Sequence, residues 1–244
     1  MDPTEQAPVA LVTGASRGLD LALTATLVDR GWRVVVDARD GARLSAAIAG
    51  LSTPSAVTAV CGDVTDPLHR LTLADSVTGL GGLHLLVSNA SVLGPSPQPR
   101  LADYPLDALA SVYAVNVLAP VALLQLLLPS LRATGGRVVH LSSDAAVEAY
   151  AGWGGYGSAK AALDQLTAVL AVEEATLKVY AFDPGDMATA LQQQAFPGED
   201  VSDRPDPASV VPSLLRLVEG DLPSGRYRSS ELVARGATTL DVTG

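Results

Sequence analysis

At Thr13 the chain changes its hydrophobic period within a few residues, and that change constrains the fold more than any other feature. Ala7–Val12 is a short aliphatic run of the kind that forms a buried strand. Leu19–Arg30 spaces its apolar residues as a helix does, with Gly31 placed to end it. Between them lies Thr13-Gly14-Ala15-Ser16-Arg17-Gly18-Leu19-Asp20. Gly14 can form a tight turn, Gly18 admits close backbone approach, and the unpaired amides at a helix start face whatever lies before them. Two glycines in a surface turn carry little meaning alone. Set after a strand and before a helix, they form a cradle suited to the pyrophosphate of a dinucleotide.

The alternation continues downstream. Arg33–Val36, Val57–Cys61, Leu83–Val87, Val138–Leu141 and Lys178–Phe182 read as further strands. Helical spacing covers Ala42–Leu51, Ala114–Leu128 and Tyr156–Glu173, and Asp183-Pro184-Gly185 is a stop signal. This order predicts an α/β fold, a Rossmann-type doubly wound parallel sheet with helices on both faces. Right-handed crossovers would put the glycine turn and the other strand ends along one ligand crevice. A length of 244 residues fits a single domain, 1–244, that binds the dinucleotide and performs the chemistry. The Gly/Pro/Asp-rich stretch Gly198–Pro207, within the wider segment 186–207, is a candidate substrate lid.

A formal charge of -10 opposes approach to nucleic acid or an anionic membrane, so neither is expected as a partner. An anionic cofactor therefore needs local attraction. Val117–Leu131 is the most apolar tract, but Pro120, Gln125, Pro129 and Ser130 interrupt it, so a buried helix is expected instead of a membrane span. Cys61 is the one cysteine, which excludes an intramolecular disulfide, and its strand-like setting marks it as a small core residue. Met1–Arg17 lacks the basic-then-apolar order of an export signal, and a cytoplasmic location is expected. His69, His84 and His140 show no ligand spacing, and Asp63 and Asp66 read as strand-end and turn residues. No metal site is expected.

Lys160 follows Tyr156 by four positions, so a helix aligns both side chains on one face. The ammonium would favour tyrosinate, and such a tyrosine can give a proton during carbonyl reduction or take one during alcohol oxidation. Only two lysines, Lys160 and Lys178, stand among the sixteen basic residues, which makes Lys160 the more informative. Ser143, thirteen residues before Tyr156, ends a strand where its hydroxyl can hydrogen-bond a reacting oxygen, with Ser142 as a neighbouring competitor. Asn116 lies in the long helical tract, where its amide can hold a water or a backbone carbonyl.

Taken in order, TGASRGLD at 13–20, Asp63-Val64, Ser88-Asn89-Ala90-Ser91, Asn116, Ser142-Ser143, YGSAK at 156–160 and Pro184-Gly185 with Thr189 resemble the short-chain dehydrogenase/reductase family over nearly the whole chain. The resemblance implies Ser143 as carbonyl-polarising residue and Tyr156 as general acid or base. It implies Lys160 as tyrosinate stabiliser and ribose ligand, and Asn116 as organiser of a water relay. It also implies cofactor contacts from Gly14, Ser16, Arg17, Gly18 and Leu19 of the turn, from Asp63-Val64 and Asn89-Ala90, and from Pro184-Gly185 with Met187 and Thr189. A homodimer or homotetramer is implied too. The pattern departs from the family at Asp20, which replaces the last glycine of the opening motif, at Ser88 and Ser91, and at Tyr180.

Asp20 complements a helix dipole in a first turn, yet a carboxylate facing the crevice repels phosphate, and one turned sideways only alters packing. Both orientations are open at this level. Arg17 and Arg39 match the 2'-phosphate of NADPH, whereas Asp37 at the end of the second strand can accept the ribose hydroxyls of NADH. NADPH is the favoured cofactor and NADH the alternative. The expected reaction interconverts a small or medium ketone and a secondary alcohol, with NADPH-dependent reduction favoured. Trp153, Tyr150, Met187 and Phe196 offer apolar contact to an aromatic or alicyclic ketone. Two other readings are a cofactor-binding or regulatory protein with little turnover, and an isomerase or dehydratase using Tyr156 as base.

Overall fold

The computed structural model describes residues 7–237. The outer ends of the expected 1–244 domain, and the first six residues of the Met1–Arg17 segment, lie outside the described residues. Seven strands form one parallel sheet: β1 (Val9–Val12), β2 (Arg33–Ala38), β3 (Val57–Cys61), β4 (Leu85–Ser88), β5 (Arg137–Leu141), β6 (Lys178–Asp183) and β7 (Gly225–Arg228). Their order is β3-β2-β1-β4-β5-β6-β7. The order reverses between β1 and β4, and a doubly wound sheet opens its crevice at that point.

Strand side chains alternate between two cores, as the pleat requires. Ala10, Val12, Leu85, Val87, Val139 and Leu141 face one cluster, into which α1 (Gly18–Asp29) sends Leu19, Leu23 and Leu27. Val9, Leu11, Leu86, Val138 and Val179 face the other. Covered on both faces, the central strands are mostly aliphatic, which is why they were readable as short apolar runs. The first core also receives α2 (Gly41–Ala49) through Leu44. On the opposite side lies α3 (Pro67–Gly79), capped by Asp66, whose Oδ1 accepts from the Leu68 N–H at 2.9 Å. Such a cap is worth about 1 kcal/mol.

The helix expected over Ala114–Leu128 is longer and broken. α4 (Leu106–Tyr113) passes through a π-turn at Ala114–Leu118 into α5 (Ala119–Thr134). Pro120 has no N–H to return to the Asn116 carbonyl in the α register, a local cause for the wider turn. The run Leu106–Thr134 is long and apolar enough to cross a membrane, yet Leu123, Leu124, Leu127 and Leu131 are spent on the second core. Beyond it come α6 (Gly154–Glu173), α7 (Ala190–Ala195), α8 (Val211–Glu219) and α9 (Ser229–Ala237). Cys61 corrects an expectation: it is exposed, because β3 is an edge strand with only partial cover.

Candidate active site

The ends of β1, β2, β4, β5 and β6 open on a crevice of about 620 Å³. Its walls bring together every residue that the sequence nominated for cofactor or chemistry except Asn116, whose neighbour Val115 lines it instead. The turn between β1 and α1 forms one end. Gly14 has φ +82° and Gly18 φ +66°, both in the left-handed region that favours glycine. A Cβ on Gly14 would stand 3.2 Å from the Ala90 Cα, so the turn and the loop after β4 are in close contact. Thr13 binds them further, its Oγ1 accepting from the Asn89 and Ala90 amides at 3.1 and 3.2 Å. No side chain caps the start of α1, which leaves its first amides for an anion. A nucleotide diphosphate fits such a cradle.

Asp37 sits beneath this turn, 1% exposed. One carboxylate oxygen accepts from the Gly14 N–H at 2.8 Å, and the other lies 3.0 Å from His69 Nε2 on α3. Both oxygens are therefore committed within the protein. His69 had no assigned partner in the sequence; three-dimensional proximity alone reveals the pair. Arg17 and Arg39 line the crevice and stay exposed. Asp63 accepts from the Thr65 N–H and hydroxyl at 2.8 and 2.7 Å. Partial burial works to raise its carboxyl, but these two bonds, with Arg39 and His69 nearby, hold it below the ordinary value.

Asp20 lines the crevice as well, so the open question of its orientation has an answer. It is 2% exposed, its Oδ2 accepts from Asn89 Nδ2, and its Oδ1 has no hydrogen-bond partner. Burial pushes its carboxyl well above the ordinary value; Asp37 adds to this, while Asn89, Lys160 and its own backbone N–H oppose it.

The other end of the crevice holds the proton-transfer residues. Tyr156 and Lys160 share one face of α6, and the Lys160 Nζ lies 5.5 Å from the centre of the Tyr156 ring. Lys160 is 3% exposed and donates to the Leu141 carbonyl at 2.6 Å. Burial draws its ammonium down to about 8, with Asp164 and Asp20 pulling the other way. Burial raises the Tyr156 phenol, helped by the negative charges of Asp144 and Asp183. Both effects favour the protonated phenol.

Ser143 stands at the end of β5, where its Oγ donates to Asp144 Oδ1 at 2.8 Å and accepts from the Ala145 N–H at 3.2 Å. Ser142 also lines the crevice and donates to Asp164 Oδ2 at 2.7 Å. Asn116 spends its side chain on Val92, accepting from its N–H and donating to its carbonyl, both at 2.9 Å. It thereby anchors the loop after β4 to the π-turn.

Sequence reasoning passed over Arg226 of β7. Its guanidinium joins Asp164 at 2.9 Å, Asp183 at 3.0 Å and the Ser143 carbonyl at 2.9 Å. One arginine thus ties β6, α6 and the Ser143 backbone together. The substrate side is lined by Trp153 and Leu191, and Trp153 meets Tyr156 and Phe196 at ring separations of 5.8 and 6.1 Å. From segment 186–207, Asp186–Gln192 line the crevice, and Gln194 Nε2 donates to the Gly94 carbonyl at 3.2 Å.

Residues 8–200 match the family model described as short chain dehydrogenase. An uncharacterised oxidoreductase of Saccharomyces cerevisiae is 33% identical over 215 residues, covering 87% of this chain and 81% of its own. A benzil reductase, (S)-benzoin forming, of the same yeast is 31% identical over 216 residues, covering 85% and 80%. A short-chain dehydrogenase of Shigella flexneri, solved with NADP, superposes with a TM-score of 0.84 at 25% identity, covering 93% of this chain and all of its own. With a parallel sheet, a glycine cradle and a Tyr156/Lys160 pair in one crevice, this chain belongs to the short-chain dehydrogenase/reductase family of oxidoreductases.

Proposed function

We propose that the protein is an NADPH-dependent reductase of small or medium ketones, with aromatic ketones as the favoured class. The observation that carries this reading is the buried Tyr156 beside Lys160 at the end of the crevice opposite to the phosphate cradle. A phenol that holds its proton is suited to give it to a developing alkoxide. When bound, the nicotinamide supplies the hydride to the carbonyl carbon. Tyr156 delivers the proton to the carbonyl oxygen, so ketone, hydride and proton balance to a secondary alcohol. Lys160 lies close enough to the Tyr156 ring to stabilise the phenolate left behind. Ser143 Oγ, at the mouth of β5, exchanges its Asp144 acceptor for the substrate oxygen and stabilises its growing charge.

Cofactor choice rests on the far end of the crevice. Arg17 and Arg39 line the crevice, exposed, and suit a 2'-phosphate, while Asp37 has both oxygens engaged by Gly14 and His69 and is poorly placed to select a ribose. The Shigella neighbour's NADP agrees with this assignment. Trp153 and Leu191 give an apolar wall, with Phe196 packed against Trp153, consistent with the benzil reductase among the relatives. Segment 186–207 acts as the lid over that wall.

The test is absorbance-monitored oxidation of NADPH with a panel of aryl, alicyclic and aliphatic ketones, repeated with NADH. Turnover with NADPH and an aryl ketone, lost by a factor of at least about 100 in Tyr156→Phe with cofactor binding retained, is the expected result. Full turnover by Tyr156→Phe would exclude it as proton donor, and no turnover across the panel would exclude the reductase reading.

A further inference from the structure

Asp20 occupies a place in the dinucleotide cradle where a negative charge works against the ligand. It stands in the uncapped first turn of α1 and lines the crevice beside Gly14, Gly18 and Asn89. Its carboxyl is 2% exposed, so water does not screen it. Asn89, from the loop after β4, satisfies one oxygen, and the second is buried with no partner. A buried carboxylate with a bare oxygen is costly, whereas a protonated carboxyl carries no net charge and offers a donor. Two charged residues from other elements bear on it: Asp37 of β2, itself paired with His69 of α3, favours the neutral form, and Lys160 of α6 favours the ionised one.

We propose that Asp20 makes cofactor binding proton-coupled, so that the diphosphate enters the cradle with Asp20 neutral and the ionised form takes up one proton from solvent as the dinucleotide binds. This rests on the reading of the crevice as a dinucleotide site. The physical cause is like-charge repulsion: a bound diphosphate raises the proton affinity of a neighbouring carboxyl, and by linkage the proton raises affinity for the diphosphate. Burial already holds the carboxyl well above its ordinary value, which brings the coupling toward the pH range where enzymes are assayed. The glycine that Asp20 replaces would give no such coupling.

NADPH fluorescence titrations across pH, with wild type, Asp20→Asn and Asp20→Gly, test this directly. Over the window between the carboxyl's ionisation in free protein and in complex, the wild-type Kd rises by about tenfold per pH unit relative to Asp20→Asn. Asp20→Gly follows the flatter profile. Calorimetry in buffers of different ionisation enthalpy reports up to one more proton taken up by wild type than by Asp20→Asn. The variant comparison removes the contribution of Lys160, present in all three proteins, and melting temperatures establish that each is folded. Intact NADPH binding with parallel profiles and equal proton counts overturns the proposal alone. Failure of all three folded proteins to bind NADPH at any pH overturns the dinucleotide reading and the proposal with it.

Discussion

His140 shows how a single residue can set acid stability from within a catalytic scaffold. It lies on β5 two residues before Ser142, is 2% exposed, and bonds the Thr167 hydroxyl through Nδ1 at 2.8 Å while Nε2 has no partner. Burial, with Lys160 nearby, draws its imidazolium down to about 4 from 6.5. The folded value is depressed, so the unfolded chain binds the proton first, and stability falls as pH drops from about 6.5 towards 4. A shift of that size corresponds to a loss on the order of 3 kcal/mol at the acid end. His140→Leu removes this slope, which urea unfolding at pH 7 and pH 4.5 measures; an unchanged slope would assign the acid sensitivity to other groups. Nothing in the sequence marked His140 beyond a packing role, because its environment is made by β6 and α6. Cys61 is the opposite case, since its apolar neighbours suggested burial and its edge position exposes it. Tyr156, Lys160, Ser143 and the glycines were visible because turn geometry and helical spacing are local properties of the chain.

Among the elements, the strands buried on both faces were read from sequence, and of the two edge strands β3 was read while β7 was not. β1, β2, β4, β5 and β6 announce themselves by aliphatic runs, while β7 reads Gly-Arg-Tyr-Arg and pairs only with β6. α3 carried a usable signal in Asp66-Pro67, an N-cap followed by a proline at the first helical position, and Asp206-Pro207 gives the same start near α8. β7 nevertheless bears directly on the site through Arg226, which holds Asp164, Asp183 and the Ser143 carbonyl. Its side chain is 25% exposed, so the ion pairs are partly screened. Arg226→Met removes the guanidinium from Asp164, Asp183 and the Ser143 carbonyl and lowers stability by about 1–3 kcal/mol. Because Ser143 is held through its backbone, kcat falls with it, by roughly tenfold, while the Kd for NADPH changes little. Lysine restores charge without the planar fork and recovers the melting temperature more than kcat. A variant with lowered stability and unaltered kcat would confine Arg226 to a structural role.

At the scale of the molecule, the most conspicuous surface property is apolar area on the helices of one face. α5 and α6 bury Leu123, Leu127, Leu131 and Leu170 against the sheet, yet Leu118, Leu126, Leu166, Val169 and Val172 remain exposed, Val172 by 82%. The exposed residues lie on the outer side of helices whose inner sides are already packed, which leaves association as the way to cover them. A two-fold operator would bring α5 and α6 against the same helices of a second copy, because an isologous interface uses one patch twice. Each exposed leucine or valine covered in this way contributes about 1 kcal/mol or more. We therefore expect a homodimer or homotetramer, which light scattering coupled to size exclusion measures as two or four chain masses. Leu118→Asp with Val172→Asp should reduce it to one chain mass, with the Tyr156 crevice still binding NADPH because neither residue lines it. A wild-type mass of one chain across micromolar concentrations would remove this interface, and the exposed leucines would then need a different partner.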